Sequence, residues 1–280
     1  MRFLFRILLL LLMAASVCLV QACPAQAQAA AAQLMPGMAE QLLALANRSR
    51  AEAGVGRLVW DEQLAAAARA HTLRMAAEGP IAHRYDGEPT LADRAGRAGA
   101  HFDSIEENVA VGSGPAAIHE GWMHSPGHRA NLLNADVNRV GIAVVFSNGV
   151  YYATADYDRS VASLSREQVE AHVAGLLMTA GLKIIPDHGA ARAACLLDHG
   201  MPPGAGAAQP LFVMRWQDAD LTRLPETLER QLRMRDYRRA EVGSCPARNA
   251  DPGFTVYRVA VLLYSGGAAD WPKSYYQPND

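Results

Sequence analysis

Between Ile81 and Tyr157 the chain gathers the side chains best suited to moving a proton or holding a cation. His83 stands just past a helix break, ahead of Tyr85-Asp86-Gly87. Glu106-Glu107-Asn108 precedes a small apolar run, Val109 to Gly112. Trp122-Met123-His124-Ser125-Pro126-Gly127-His128-Arg129-Ala130-Asn131 follows, where a tryptophan-bearing helix breaks at Pro-Gly and a second helical turn starts near His128. Imidazole titrates near neutral pH and is the commonest metal ligand. Beside a carboxylate it can relay a proton or complete an ion's shell. Other candidates are weaker. His119-Glu120 with His124 has the wrong spacing for a zinc-protease helix, which needs histidines at i and i+4 on one face. Ser125 has no acid–base relay in view, and Pro126 gives it a turn role. His71, in an Ala-rich helix, reads as a packed or surface residue. Arg230, Arg233, Arg235, Arg238 and Arg239 interleave with Glu229, Asp236 and Glu241 and read as a solvated face.

These residues must be positioned by helices and a terminal hairpin. Apolar periodicity predicts helices over Pro36–Ala53, Asp61–Ala77, Thr90–Ala98 and Pro115–Met123. Asp61 is a natural N-cap for the second of these. Val140–Phe146 and Val150–Tyr157 flank Ser147-Asn148-Gly149, and Asn-Gly between apolar runs predicts a hairpin. Helices alternating with a hairpin suggest helices packed on an antiparallel sheet.

A linker at Ser160–Ser165 leads to a second unit, 165–280, with expected helices over Ser165–Ala180, Asp187–His199 and Leu221–Met234. Strands are expected at Leu182–Ile185, Leu211–Trp216, Arg239–Ser244 and Phe254–Tyr264. This unit echoes the first. Ala53–Asp61 has a counterpart in Ala180–Asp187, and Asn138–Ile142 in Tyr237–Gly243. A diverged internal duplication is therefore one expectation, chance similarity of Ala-rich helices the other. Under duplication Cys195 lies on a helix and Cys245 on the strand beneath it.

Taken together, His83, Glu107-Asn108-Val109-Ala110, the Trp122–Asn131 stretch, Val140-Gly141-Ile142-Ala143 and the Tyr-rich last strand resemble the CAP superfamily (cysteine-rich secretory, antigen 5 and pathogenesis-related 1 proteins), in particular its bacterial SCP-like branch. The resemblance covers residues 38–159 and implies an α+β fold, a three-layer αβα sandwich, followed by the smaller α/β unit. It also implies a surface cleft that can hold a divalent metal, commonly zinc. Carried over by motif, the metal ligands are His83, Glu107 and His128, with Asn108, Ser125 and Asn131 supporting the cleft. Ser125 stands where the family's second acid usually lies. Two imidazoles and one carboxylate are a normal zinc shell with one position open. The alternative is a polar, metal-free cleft.

Composition limits the partners. Lys+Arg number 26 and Asp+Glu 28 in 280 residues, a formal charge of -2, which argues against a nucleic-acid or anionic-membrane binder. Arg2 and Arg6 precede an apolar run, Ile7–Val20, too short to span a bilayer, and Ala25-Gln26-Ala27 fits signal-peptidase cleavage after Ala27. Residues 1–27 are thus expected to be a signal peptide and 28–37 an arm. An uncleaved anchor and a lipoprotein modified at Cys23 are alternatives. Removal leaves Cys195 and Cys245, expected to pair in a periplasmic or secreted protein, with two free thiols as the alternative. The expected function is binding of a small or lipid-like molecule or a cell-envelope component. The other reading is a metal-dependent hydrolase with Glu107 as general base.

Overall fold

The computed structural model describes residues 32–186, 189–200 and 209–265. The expected signal peptide, Cys18 and Cys23 lie outside these residues, as do 266–280. Among the described residues no helix is long and apolar enough to cross a membrane.

The first unit is α+β. Gln33–Leu34 (β1), at the end of the expected arm, pairs antiparallel with Val145–Phe146 of β4 (Arg139–Ser147). Helix α1 (Pro36–Glu52) leads to β2 (Val59–Trp60), parallel to the start of β4. Helices α2 (Glu62–Glu78) and α3 (Leu91–Arg97) follow. The Asp61 carboxylate accepts from the backbone N–H groups of Gln63 and Leu64, as its cap position predicts. Next come β3 (Phe102–Gly112), α4 (Pro115–His124), α5 (Pro126–Leu133), β4 and β5 (Val150–Ser160). The sheet runs β1-β4-β5-β3, with β2 also on β4. Asn148 and Gly149 both have positive φ, the two-residue turn that matches strand twist.

Strand alternation makes the layers. Val140, Ile142, Val144, Ala153, Ala155 and Tyr157 point to one face, against Leu42 and Ala46 of α1, Trp122 of α4 and Leu132 of α5. The other face meets α2 closely. A Cβ on Gly141 would lie 1.9 Å from the backbone nitrogen of Ala65, so only glycine allows the contact. α1 also anchors the loops. Arg50, fully buried, donates to the carbonyls of Gly56, Leu132 (2.9 Å), Asn134 (2.8 Å) and Val137 (3.1 Å).

The second unit repeats this connectivity. α6 (Arg166–Thr179), capped by Ser165, leads to β6 (Lys183–Ile184), parallel to the start of β8 (Arg239–Cys245). α7 (Ala190–Leu196), β7 (Phe212–Asp218), α8 (Glu226–Met234), β8 and β9 (Tyr257–Tyr264) complete it. The sheet order β6-β8-β9-β7 matches β2-β4-β5-β3. Gly243 presses against Ala191 and Arg192 of α7 as Gly141 presses against α2. α8 starts later than expected, after bends at 222–223, with Pro225 at its N-cap, since the residue before a proline is disfavoured in a helix. Gly253, at φ 90° and against the carbonyl of Ala92, places Phe254 edge-on to Phe102 at 5.2 Å, so a loop of the second unit covers α3.

Cys195 on α7 and Cys245 at the end of β8 form a disulfide closing a separation of 50 residues. Counted from the paired glycines and their helices, these cysteines fall where the first unit has Ala68 and Ala143, both buried. Thiol titration of the denatured, non-reduced protein should find neither Cys195 nor Cys245 free. Two free thiols there would contradict the bridge.

Candidate functional site

The sheet edge β3 carries the site. Glu107 and Asn108 are consecutive and point to opposite faces, so β3 reaches both helical layers at one point. On the α2–α3 side Glu107 is nearly buried. Its Oε1 lies 2.9 Å from His83 Nδ1, and its Oε2 accepts from Arg94 Nη2 on α3. Arg94 also reaches the carbonyl of His83, so one guanidinium holds both the acid and the loop bearing the imidazole. On the α5 side Asn108 donates to the carbonyl of His128 at 2.9 Å, and Asn131 donates to Asn108 Oδ1 (3.0 Å) and to the Glu107 carbonyl (3.2 Å). The His83 and His128 rings meet across the edge at 6.2 Å between centroids. His83, Glu107, His128, Asn108 and Asn131 are therefore brought together. Ser125 sits at the joint of α4 and α5 without capping the helix it precedes.

The environment separates the two histidines electrostatically. The hydrogen bond to Glu107 raises the pKa of His83 against the opposing effect of burial, so it keeps its proton to higher pH. Burial, then the neighbouring His83, lowers that of His128. The His83 ring thus holds its proton to higher pH than the His128 ring facing it.

Sequence reasoning missed a deeper layer. Fully buried His71 on α2 faces Glu88 Oε1 through Nδ1 (2.7 Å) and the Ala82 carbonyl through Nε2 (2.9 Å). Burial raises the pKa of Glu88, but the Tyr85 N–H and His71 outweigh it and the carboxyl stays lowered. Asp156, paired with Glu107 across β3–β5, is fully buried, and among the described residues neither of its oxygens has a hydrogen-bond partner. Its pKa is pushed well above the usual carboxylate range, first by burial and then by Glu107. The alternation Thr154, Asp156, Asp158 in an otherwise apolar strand was its sequence mark. His119 and His124 diverge, to Ser49 Oγ and to the Glu120 carbonyl, as their spacing implied.

As held here, Glu107 would have to give up a protein partner to join His83 and His128 around a metal. Both Glu107 oxygens and His83 Nδ1 are engaged with protein partners. Among the described residues no three His, Cys, Asp or Glu side chains converge on one ion position.

Residues 43–157 match the model of the cysteine-rich secretory protein family, CAP. The chain is 36% identical over 107 residues to "Uncharacterized membrane protein YlbC" of Bacillus subtilis, covering 38% of this chain and 31% of that one. It is 28% identical over 113 residues to "Uncharacterized protein YkwD" of the same organism, covering 40% and 44%. The match thus spans less than half the length of these curated relatives. Among solved structures, an extracellular protein containing a SCP domain from Bacillus anthracis aligns with a TM-score of 0.42 at 31% identity, over 45% of this chain and 41% of that one. Residues 43–157 thus form a CAP domain, the domain of the cysteine-rich secretory protein family.

Proposed function

We propose that this chain is an exported CAP protein, periplasmic or secreted, whose His83–His128 cleft binds a small or lipid-like molecule or a cell-envelope component. The observation that carries this reading is the state of Glu107. A general base needs a free carboxylate oxygen within reach of a water. Glu107 is buried, with His83 on one oxygen and Arg94 on the other. It is better placed to orient His83 than to take a proton from solvent. The His83 side chain, 59% exposed, is the group that meets a ligand. The repeated connectivity supports reading residues 165–265 as a diverged second copy of the fold.

The test is side-chain NMR of 15N-histidine-labelled protein titrated with muropeptides and with a fatty acid. Shifts of His83 and His128 with one of these probes, lost in His128→Ala, are expected. Turnover of ester or peptidoglycan substrates that Glu107→Gln abolishes would instead establish the hydrolase reading. Zinc calorimetry on wild type and the His83→Ala, His128→Ala double variant should give equal heats, since Glu107 is already engaged. A larger wild-type heat would restore a divalent ion to the cleft.

A further inference from the structure

Two strands across from Gly141, through Asp156, stands Glu107; two strands across from Gly243, through Ala260, stands Arg215. The second sheet therefore carries a cation at the position where the first carries the acid of its cleft. Around Arg215 opens a cavity of about 400 Å³ lined by Asp198, Trp216, Gln217, Arg248, Asn249 and Arg258.

Its charges do not balance. Three guanidiniums face one carboxylate, which leaves a net charge of +2 among the lining residues. Asp198 is shared: Arg248 Nη1 donates to its Oδ1, and so does Arg258 Nη2 at 3.2 Å. The remaining contacts of the arginines are to backbone carbonyls: Arg215 to Ala194 and Gly200, Arg248 to Leu196, Arg258 to Leu197. Arg258 is only 6% exposed, and its buried Nη1 has no hydrogen-bond partner among the described residues. Burial, then the adjacent Arg258, lowers the pKa of Arg215 despite Asp198. Clustering like charges in a partly desolvated site is costly unless an anion joins them.

We propose that Arg215, Arg248 and Arg258 form a binding site for a phosphate group, carried by inorganic phosphate or a phosphomonoester. Planar guanidinium forks match phosphate oxygens in pairs. A phosphate dianion cancels the excess charge, whereas a carboxylate cancels half of it. The site uses none of the residues of the His83–His128 cleft and stands independently of that cleft's function.

Calorimetric titration of the full chain with inorganic phosphate and with glycerol phosphate, at fixed ionic strength, tests this. Arg248 is the variant of choice because its side chain is 45% exposed. Arg248→Gln should weaken binding about 10-fold, the size of one lost charge-assisted contact. Asp198→Asn should tighten it several-fold by releasing Arg248 and Arg258 from competition, a direction that misfolding does not produce. Co-sedimentation with phosphatidic acid vesicles, compared with phosphatidylcholine vesicles, separates a lipid headgroup from a soluble phosphate, and Arg248→Gln must weaken whichever occurs. Absence of binding by every phosphate probe, or identical affinities in wild type, Arg248→Gln and Asp198→Asn, would overturn the proposal.

Discussion

Replacing Arg50 with methionine is expected to lower the unfolding free energy by about 4 kcal/mol, because buried carbonyls left without a donor cost roughly 1–3 kcal/mol each. The guanidinium satisfies the carbonyls of Gly56, Leu132, Asn134 and Val137 from the interior of α1, and methionine matches its length but donates nothing. Burial lowers the pKa of Arg50, against a smaller opposing effect of Tyr157, so solvation is what this residue has surrendered for those contacts. Urea denaturation measures the loss. Arg50→Lys should recover only part of it, since a single ammonium cannot fork to carbonyls on both loops. A loss below about 1 kcal/mol would show that the loops into β2 and β4 hold without this donor.

The second large effect depends on pH. Asp158 lies at the end of β5, almost fully buried, and its pKa is raised from 3.8 to about 7, by burial first, then by Asp61, with Arg139 opposing and Asp103 adding. The folded state therefore binds more protons than the unfolded chain between about pH 4 and 7. Stability falls as pH rises through that window and stays lowered above it. Asp158→Asn, which stays neutral, should stabilise the protein at pH 8 by about 2 kcal/mol, allowing for partial solvent screening of a shift worth 1.36 kcal/mol per unit. At pH 4 the gain should shrink to near zero. Equal gains at both pH values would mean that charge burial is not the cause.

Much of the first unit was legible because its determinants are local. Asp61 caps the helix it precedes, and Asn148-Gly149 turns the hairpin. The residues of the cleft were legible through a motif whose parts recur in a fixed order. β3 was not, because Asp103, Glu106 and Glu107 interrupt its apolar pattern, and an edge strand reaching two helical layers tolerates such residues on both faces. Nor could Arg94 or Glu88 be found by spacing. Arg94 reaches Glu107 from a separate helix, and His71 meets Glu88 only after the intervening loop folds back along α2. Such pairings depend on tertiary approach, which periodicity does not encode. Nothing near Arg215 marked it either; its place became visible only when the two sheets could be aligned through Gly141 and Gly243.

The wedge of Gly253 and Phe254 against α3 has an engineering consequence. α3 carries Arg94, and Arg94 grips both Glu107 and the backbone of His83. A chain cut after Ser160 would keep every cleft residue yet lose the aromatic lid over Phe102 and the hydrogen bond from the Thr255 N–H to the Phe102 carbonyl. The N-terminal segment is thus not a portable module, and transplanting its cleft to another scaffold requires bringing along a buttress from more than 150 positions downstream of the helix it braces.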